Sequence, residues 1–124
     1  LTDRDEYDLT ADVLNEPSPI LLITAYNLRK TDTGNMAAIA RLAQEAQAAG
    51  WYVYGITTNS WEAVEEFRHA HQLPFEFVRC DEKVIKTMVR ANPGVMVLQN
   101  GGVKGIWHGN HAPTLAEAQA VLSR

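Results

Sequence analysis

Cysteine is nearly absent from this chain, with Cys80 the single one among 124 residues. One thiol excludes an intrachain disulfide and any CxxC pair, and it leaves the redox compartment undetermined. No apolar run approaches the roughly 20 residues that cross a bilayer as a helix. Positive charge is also in short supply, with 11 Lys and Arg against 15 Asp and Glu and a net charge of −4. The basic residues are scattered, so no nucleic-acid partner is expected. A dinucleotide-binding loop is missing too. Gly101, Gly102, Gly105 and Gly109 lie in and after a turn between two strand-like runs, not between a strand and a helix. Repeats, low-complexity segments and internal linkers are absent. The chain opens at Leu1 with no signal-type apolar region behind it, which reads as an excerpt or a processed product from which an upstream membrane segment has been removed.

What is present is a pattern for one α/β domain over residues 1–124, with 46% hydrophobic residues and a polar amino-terminal extension over 1–18. The apolar run Ile20 to Ala25 is short and β-branched, as a buried strand requires. After a polar stretch from Tyr26 to Gly34, Met36, Ile39, Ala40, Leu42, Ala43 and Ala46 recur at helical spacing, and Gly50 suits a left-handed helix end. Trp51 to Thr57 reads as a second strand. Ser60 caps a second helix with Trp61, Val64 and Phe67 on its apolar stripe, and Phe75 to Val78 forms a short strand. Asp81 opens a third helix with Val84, Ile85, Met88 and Val89 inward, stopped by Asn92-Pro93-Gly94. Two strands, Val95 to Gln99 and Val103 to Trp107, flank Asn100-Gly101-Gly102, a strong hairpin signal. Thr114-Leu115-Ala116-Glu117 is a capping box that starts a last helix. The fold predicted is a mixed sheet with helices on both faces, its first two strands parallel.

That order of elements, with Asn92-Pro93-Gly94 just before a strand, resembles the thioredoxin-like fold. The segment Ser60 to Val78 resembles the helix-strand insertion of its peroxiredoxin and TlpA-like branches. The words Pro19-Ile20-Leu21-Leu22-Ile23, Lys86 to Met96 and Gly105-Ile106-Trp107-His108 resemble the soluble carboxyl-terminal domains of bacterial DoxX-type membrane proteins. This resemblance implies a transmembrane region before Leu1 and association with the bacterial inner membrane, the facing side left open. The thioredoxin-like resemblance implies a cis bond before Pro93, and it places the usual nucleophilic cysteine between the first strand and the first helix. Residues 25–34 hold none. Laying Thr31 on the threonine of the peroxidase pattern puts Asn27 at its proline and Gly34 at its cysteine, so that motif is missing as well.

The candidate residues follow from these placements. Tyr26, Asn27, Arg29, Lys30, Thr31, Asn92 and Pro93 would line a groove for a protein or peptide, since a cis proline exposes backbone groups that can pair with an added strand. Arg29, Lys30 and Asp32 would otherwise form a solvated loop, or hold an anion with the amides of Asn35 and Met36. Cys80 is the alternative centre, a thiol peroxidase or redox sensor activated by Arg79 and a helix start. Asp81 beside it opposes thiolate formation, and the bland reading is a half-buried strand-end thiol. A third alternative is a module that stabilises or oligomerises its membrane partner. His108 and His111 are read as loop residues without an acidic or cysteine partner nearby, and His69 and His71 cannot share a helix face. No metal and no cofactor are expected. Trp51, Trp61 and Trp107 are expected to be buried or half-buried anchors.

Overall fold

The computed structural model describes residues 15–25, 34, 36–79, 94–108 and 111–123. Its elements are strand β1 (Ile20–Thr24), helix α1 (Met36–Ala48), strand β2 (Tyr52–Thr57), helix α2 (Trp61–His71) and strand β3 (Glu76–Arg79). They are followed by strands β4 (Gly94–Gln99) and β5 (Gly102–His108), then helix α3 (Leu115–Ala120), which tightens into a 3-10 turn over Val121–Ser123. The strand order is β3-β2-β1-β4-β5. β1 runs parallel to β2, β2 parallel to β3, and β4 antiparallel to both β1 and β5, as the mixed sheet predicted. The third helix expected after Asp81 lies outside the described residues.

β1 sits at the centre, and all five of its residues are buried. Alternation sends Leu21 and Ile23 to one face, where they join Val53, Phe75, Phe77, Val95 and Val97. The described helices cover this face: α1 contributes Met36, Ile39, Leu42, Ala43 and Ala46, α2 contributes Val64 and Phe67, and Ala118 and Val121 come from the last helical segment. Trp51 is buried here, while Trp61 and Trp107 pack against the cluster half-exposed, as expected of the three indoles. On the other face Ile20, Leu22, Ile56, Val78, Met96 and Leu98 are buried as well. A strand buried on both faces reads as a continuous apolar run, which is how Ile20 to Ile23 appears in the sequence.

Local signals set the ends of these elements. Gly50 takes φ +87° after α1. The Ser60 hydroxyl accepts from the Ala63 N–H, and Thr114 and Glu117 form the reciprocal capping box. The β4–β5 turn is two residues, not three: Asn100 at φ 53° and Gly101 at φ 78° form the connection, and Gly102 already pairs with Gln99. Two positive-φ residues match the twist of the flanking strands. The register shifts between Val97 and Leu98, leaving Lys104 as an extra residue in β5, a bulge that the sequence pattern does not announce. The turn is tied to the start of β1, because the Asn100 N–H donates to the Glu16 carbonyl (3.0 Å) and the Gln99 side chain to the Pro17 carbonyl (3.2 Å).

Two glycines make room for aromatic rings. Gly55 pairs with Phe77, and a Cβ on Gly55 would lie 2.5 Å from that ring. Phe77 is itself held by Phe75 (centroids 5.5 Å apart) and by Phe67 (6.4 Å, edge-on). A Cβ on Gly105 would meet the Trp107 ring at 2.5 Å, but that indole is half-exposed on an edge strand and has somewhere to go. Gly55→Ala should therefore destabilise the fold by about 1–3 kcal/mol through overpacking, and Gly105→Ala by clearly less. Urea midpoints at unchanged slope test this, and the pair Gly55→Ala with Phe77→Leu should recover part of the loss.

Candidate functional site

The strand registers bring five positions into a row across one end of the sheet. Val78 stands opposite Ile56, Ile56 opposite Thr24, Thr24 opposite Gly94, and Gly94 opposite His108, while one position further out Arg79 closes β3 opposite Thr57. At this end the chain leaves β1 toward α1 and enters β4 from Pro93. Ligands of open α/β sheets lie outside the carboxyl ends of the parallel strands, where neighbouring connections diverge, and β1 meets that condition here. Tyr26, Asn27, Arg29, Lys30, Thr31, Asn92, Pro93 and Cys80 lie outside the described residues. Each belongs to a segment joined to this row: 26–33 follows Ala25, Cys80 follows Arg79, and Asn92-Pro93 precedes Gly94.

The polar groups of the row differ in how they are satisfied. The Ala25 N–H donates to the Ile56 carbonyl at 2.8 Å, prolonging the β1–β2 ladder one residue past the strand. Thr57 is fully buried; its hydroxyl donates to Asn59 Oδ1 and accepts from the Asn59 N–H, both at 3.2 Å. Thr24 is also fully buried, and its Oγ1 has no hydrogen-bond partner among the described residues. Leaving such a group unpaired costs about 1–3 kcal/mol. Its register partner Gly94 has no side chain to help. In the sequence, Thr24 is visible only as the one polar residue in the run from Ile20 to Ala25.

At the flank of the row, Arg79 places its guanidinium carbon 6.0 Å from the centre of the Trp61 ring, a cation–π contact with α2. His108 is the last residue of β5 and not a loop residue, because its pairing with Gly94 continues the ladder. Its ring centre lies 6.4 Å from that of His111, with the planes at 60°. Among the described residues, no group of three or more His, Cys, Asp or Glu converges as metal ligands. His71 instead packs on Phe67 within α2, with ring centres 4.6 Å apart.

A shallow cavity of about 360 Å³ lies elsewhere, over the last turns of α2, lined by Glu65, Arg68, His69, Gln72 and Leu73. Because α2 runs back from the carboxyl end of β2, this cavity lies toward the opposite end of the sheet. Arg68 is already engaged there, with Glu76 at 3.4 Å and Glu65 at 3.7 Å.

No family model matches the chain, and no curated protein matches it. Solved structures do. A thioredoxin-like protein from Aeropyrum pernix superposes with a TM-score of 0.72 at 14% identity, over 99% of this chain and 86% of that one. A thiol:disulfide interchange protein of the thioredoxin family from Chlorobium tepidum gives 0.66 at 11% identity, over 99% and 89%. A peroxidoxin from Mycobacterium tuberculosis gives 0.65 at 14% identity, over 99% and 88%. Identities this low speak for architecture and not for chemistry. Taken with the five-strand order and the mixed pairing, they show that this chain has the thioredoxin-like fold, with neighbours on both the thiol:disulfide and the peroxidoxin side.

Proposed function

We propose that this domain recognises an extended protein or peptide segment at the end of the sheet where β1 stops and β4 begins, without thiol exchange at that point. Tyr26, Asn27, Arg29, Lys30, Thr31, Asn92 and Pro93 are the residues proposed to line the groove, with Pro93 cis. The observation that carries the reading is Thr24, a fully buried hydroxyl with no partner among the described residues, at the last position of the central strand. A hydroxyl both donates and accepts, and the backbone of an added strand supplies the groups it lacks. The composition points the same way, because the stretch between β1 and α1 contains no cysteine. In this reading the domain is an accessory to a DoxX-type membrane region, a part of the proposal supported by the sequence resemblance alone.

A thiol peroxidase or redox sensor based on Cys80 is the second reading. It places the thiol directly after Arg79, which ends β3 one position beyond the row of Thr24 and two strands away. At about 4.8 Å per strand the separation is roughly 10 Å. Structural neighbours that carry out thiol chemistry add to it.

Two experiments separate these readings. A mixture of random pentapeptides, titrated into isotope-labelled protein, should shift the amide signals of Ala25, Gly94 and Val95 more than those of Ile20, Leu98 and Asn100 at the far end. Thr24→Val should raise stability by about 1 kcal/mol, since it removes an unpaired buried hydroxyl, and should weaken those peptide shifts. Shifts spread evenly over both ends would contradict the recognition reading. Alkylation followed against pH tests the second: the thiol reading requires Cys80 to react faster than free cysteine near neutral pH, and the recognition reading expects it to react no faster.

A further inference from the structure

The end of β5 carries a pair of imidazoles that the recognition reading does not use. His108 closes the strand, and His111 stands three residues on. Both side chains are exposed, but both are anchored by their chain neighbours. Trp107 packs against the core on one side, Ala112 packs against it on the other, and Pro113 is buried. Backbone pairing with Gly94 fixes the direction in which His108 leaves the sheet.

We propose that His108 and His111 bind one late first-row divalent cation, copper(II) before zinc(II), through one ring nitrogen each, with water filling the remaining positions. An imidazole nitrogen holds such an ion at about 2.0–2.1 Å, so two rings sharing it have centres roughly 5 to 6.4 Å apart, depending on the angle at the metal. The observed separation is 6.4 Å, at the upper limit of that range. The rings stand at 60° in an edge-to-face arrangement, so the edge of one, where its nitrogens lie, is turned toward the other. Rotation of the second ring about its side-chain bonds brings a nitrogen of each onto a common ion. Each ring keeps its second nitrogen for a protein or water partner, the usual arrangement for a ligating histidine. Copper(II) stands above zinc(II) for any nitrogen site of this kind. His69 and His71 provide the internal comparison, because residues two apart on a helix point in different directions and His71 is packed on Phe67.

Copper(II) chloride titrated into the whole chain tests the proposal, followed by calorimetry and by quenching of tryptophan fluorescence, since Trp107 adjoins His108. The wild-type protein should bind one equivalent. His111→Ala and His108→Ala should each weaken binding by about tenfold or more, the order of loss expected for an impaired metal site, with circular dichroism unchanged. His69→Ala should bind as the wild type does, and zinc(II) should compete at higher concentration. Absence of a one-to-one event, binding by His111→Ala within twofold of wild type, or loss of binding in His69→Ala would each overturn the assignment. Thr24→Val should leave copper(II) binding intact, so the metal site and the peptide groove stand or fall separately.

Discussion

Strand β1 is paired on both edges and buried on both faces, and the rest of the sheet takes its order from that constraint. A strand so enclosed has to satisfy every backbone group through its neighbours. It does so with β2 in parallel on one side and β4 antiparallel on the other. Parallel pairing with β2 requires a crossover long enough to hold α1. Antiparallel pairing with β4 brings the chain back from the opposite direction, so the exit of β1 and the entry to β4 meet at one end. The site region follows directly from this arrangement. Truncation of a buried β1 side chain to alanine, such as that of Ile23, would cost on the order of 2–5 kcal/mol.

Much of this architecture could be read from the residues. The run Ile20 to Ile23 is apolar without alternation because both faces are covered. The cap at Ser60, the capping box at Thr114 and the left-handed Gly50 are short-range signals with one dominant cause each, and they stand where expected. Features that depend on two distant segments were less legible. The Lys104 bulge arises from matching β5 to β4, and the fit of Gly55 under Phe77 arises from the β2–β3 register. The turn at Asn100 is tighter than the three-residue reading because both Asn100 and Gly101 accept positive φ.

For the candidate site the sequence offers an outline without particulars. The absence of cysteine from residues 25–34 and the proline before β4 point to the end of the sheet proposed as the site. The residues proposed for the groove lie outside the described residues. What the structure adds comes from positions that carry no motif. Thr24 draws attention only once its hydroxyl is known to be buried and unpaired, and the contact between His108 and His111 emerges only when β5 is seen to extend to His108. The cation–π contact between Arg79 and Trp61 likewise joins two residues that no sequence motif links.

The chain has a thioredoxin-like sheet, and the proposed function assigns its site end to contact and not to electron transfer. The most direct measurement is the reduction of insulin by dithiothreitol in the presence of the protein. The account predicts the same rate with and without the domain, and the same for Cys80→Ser. An acceleration by the wild-type domain that disappears in Cys80→Ser would contradict it.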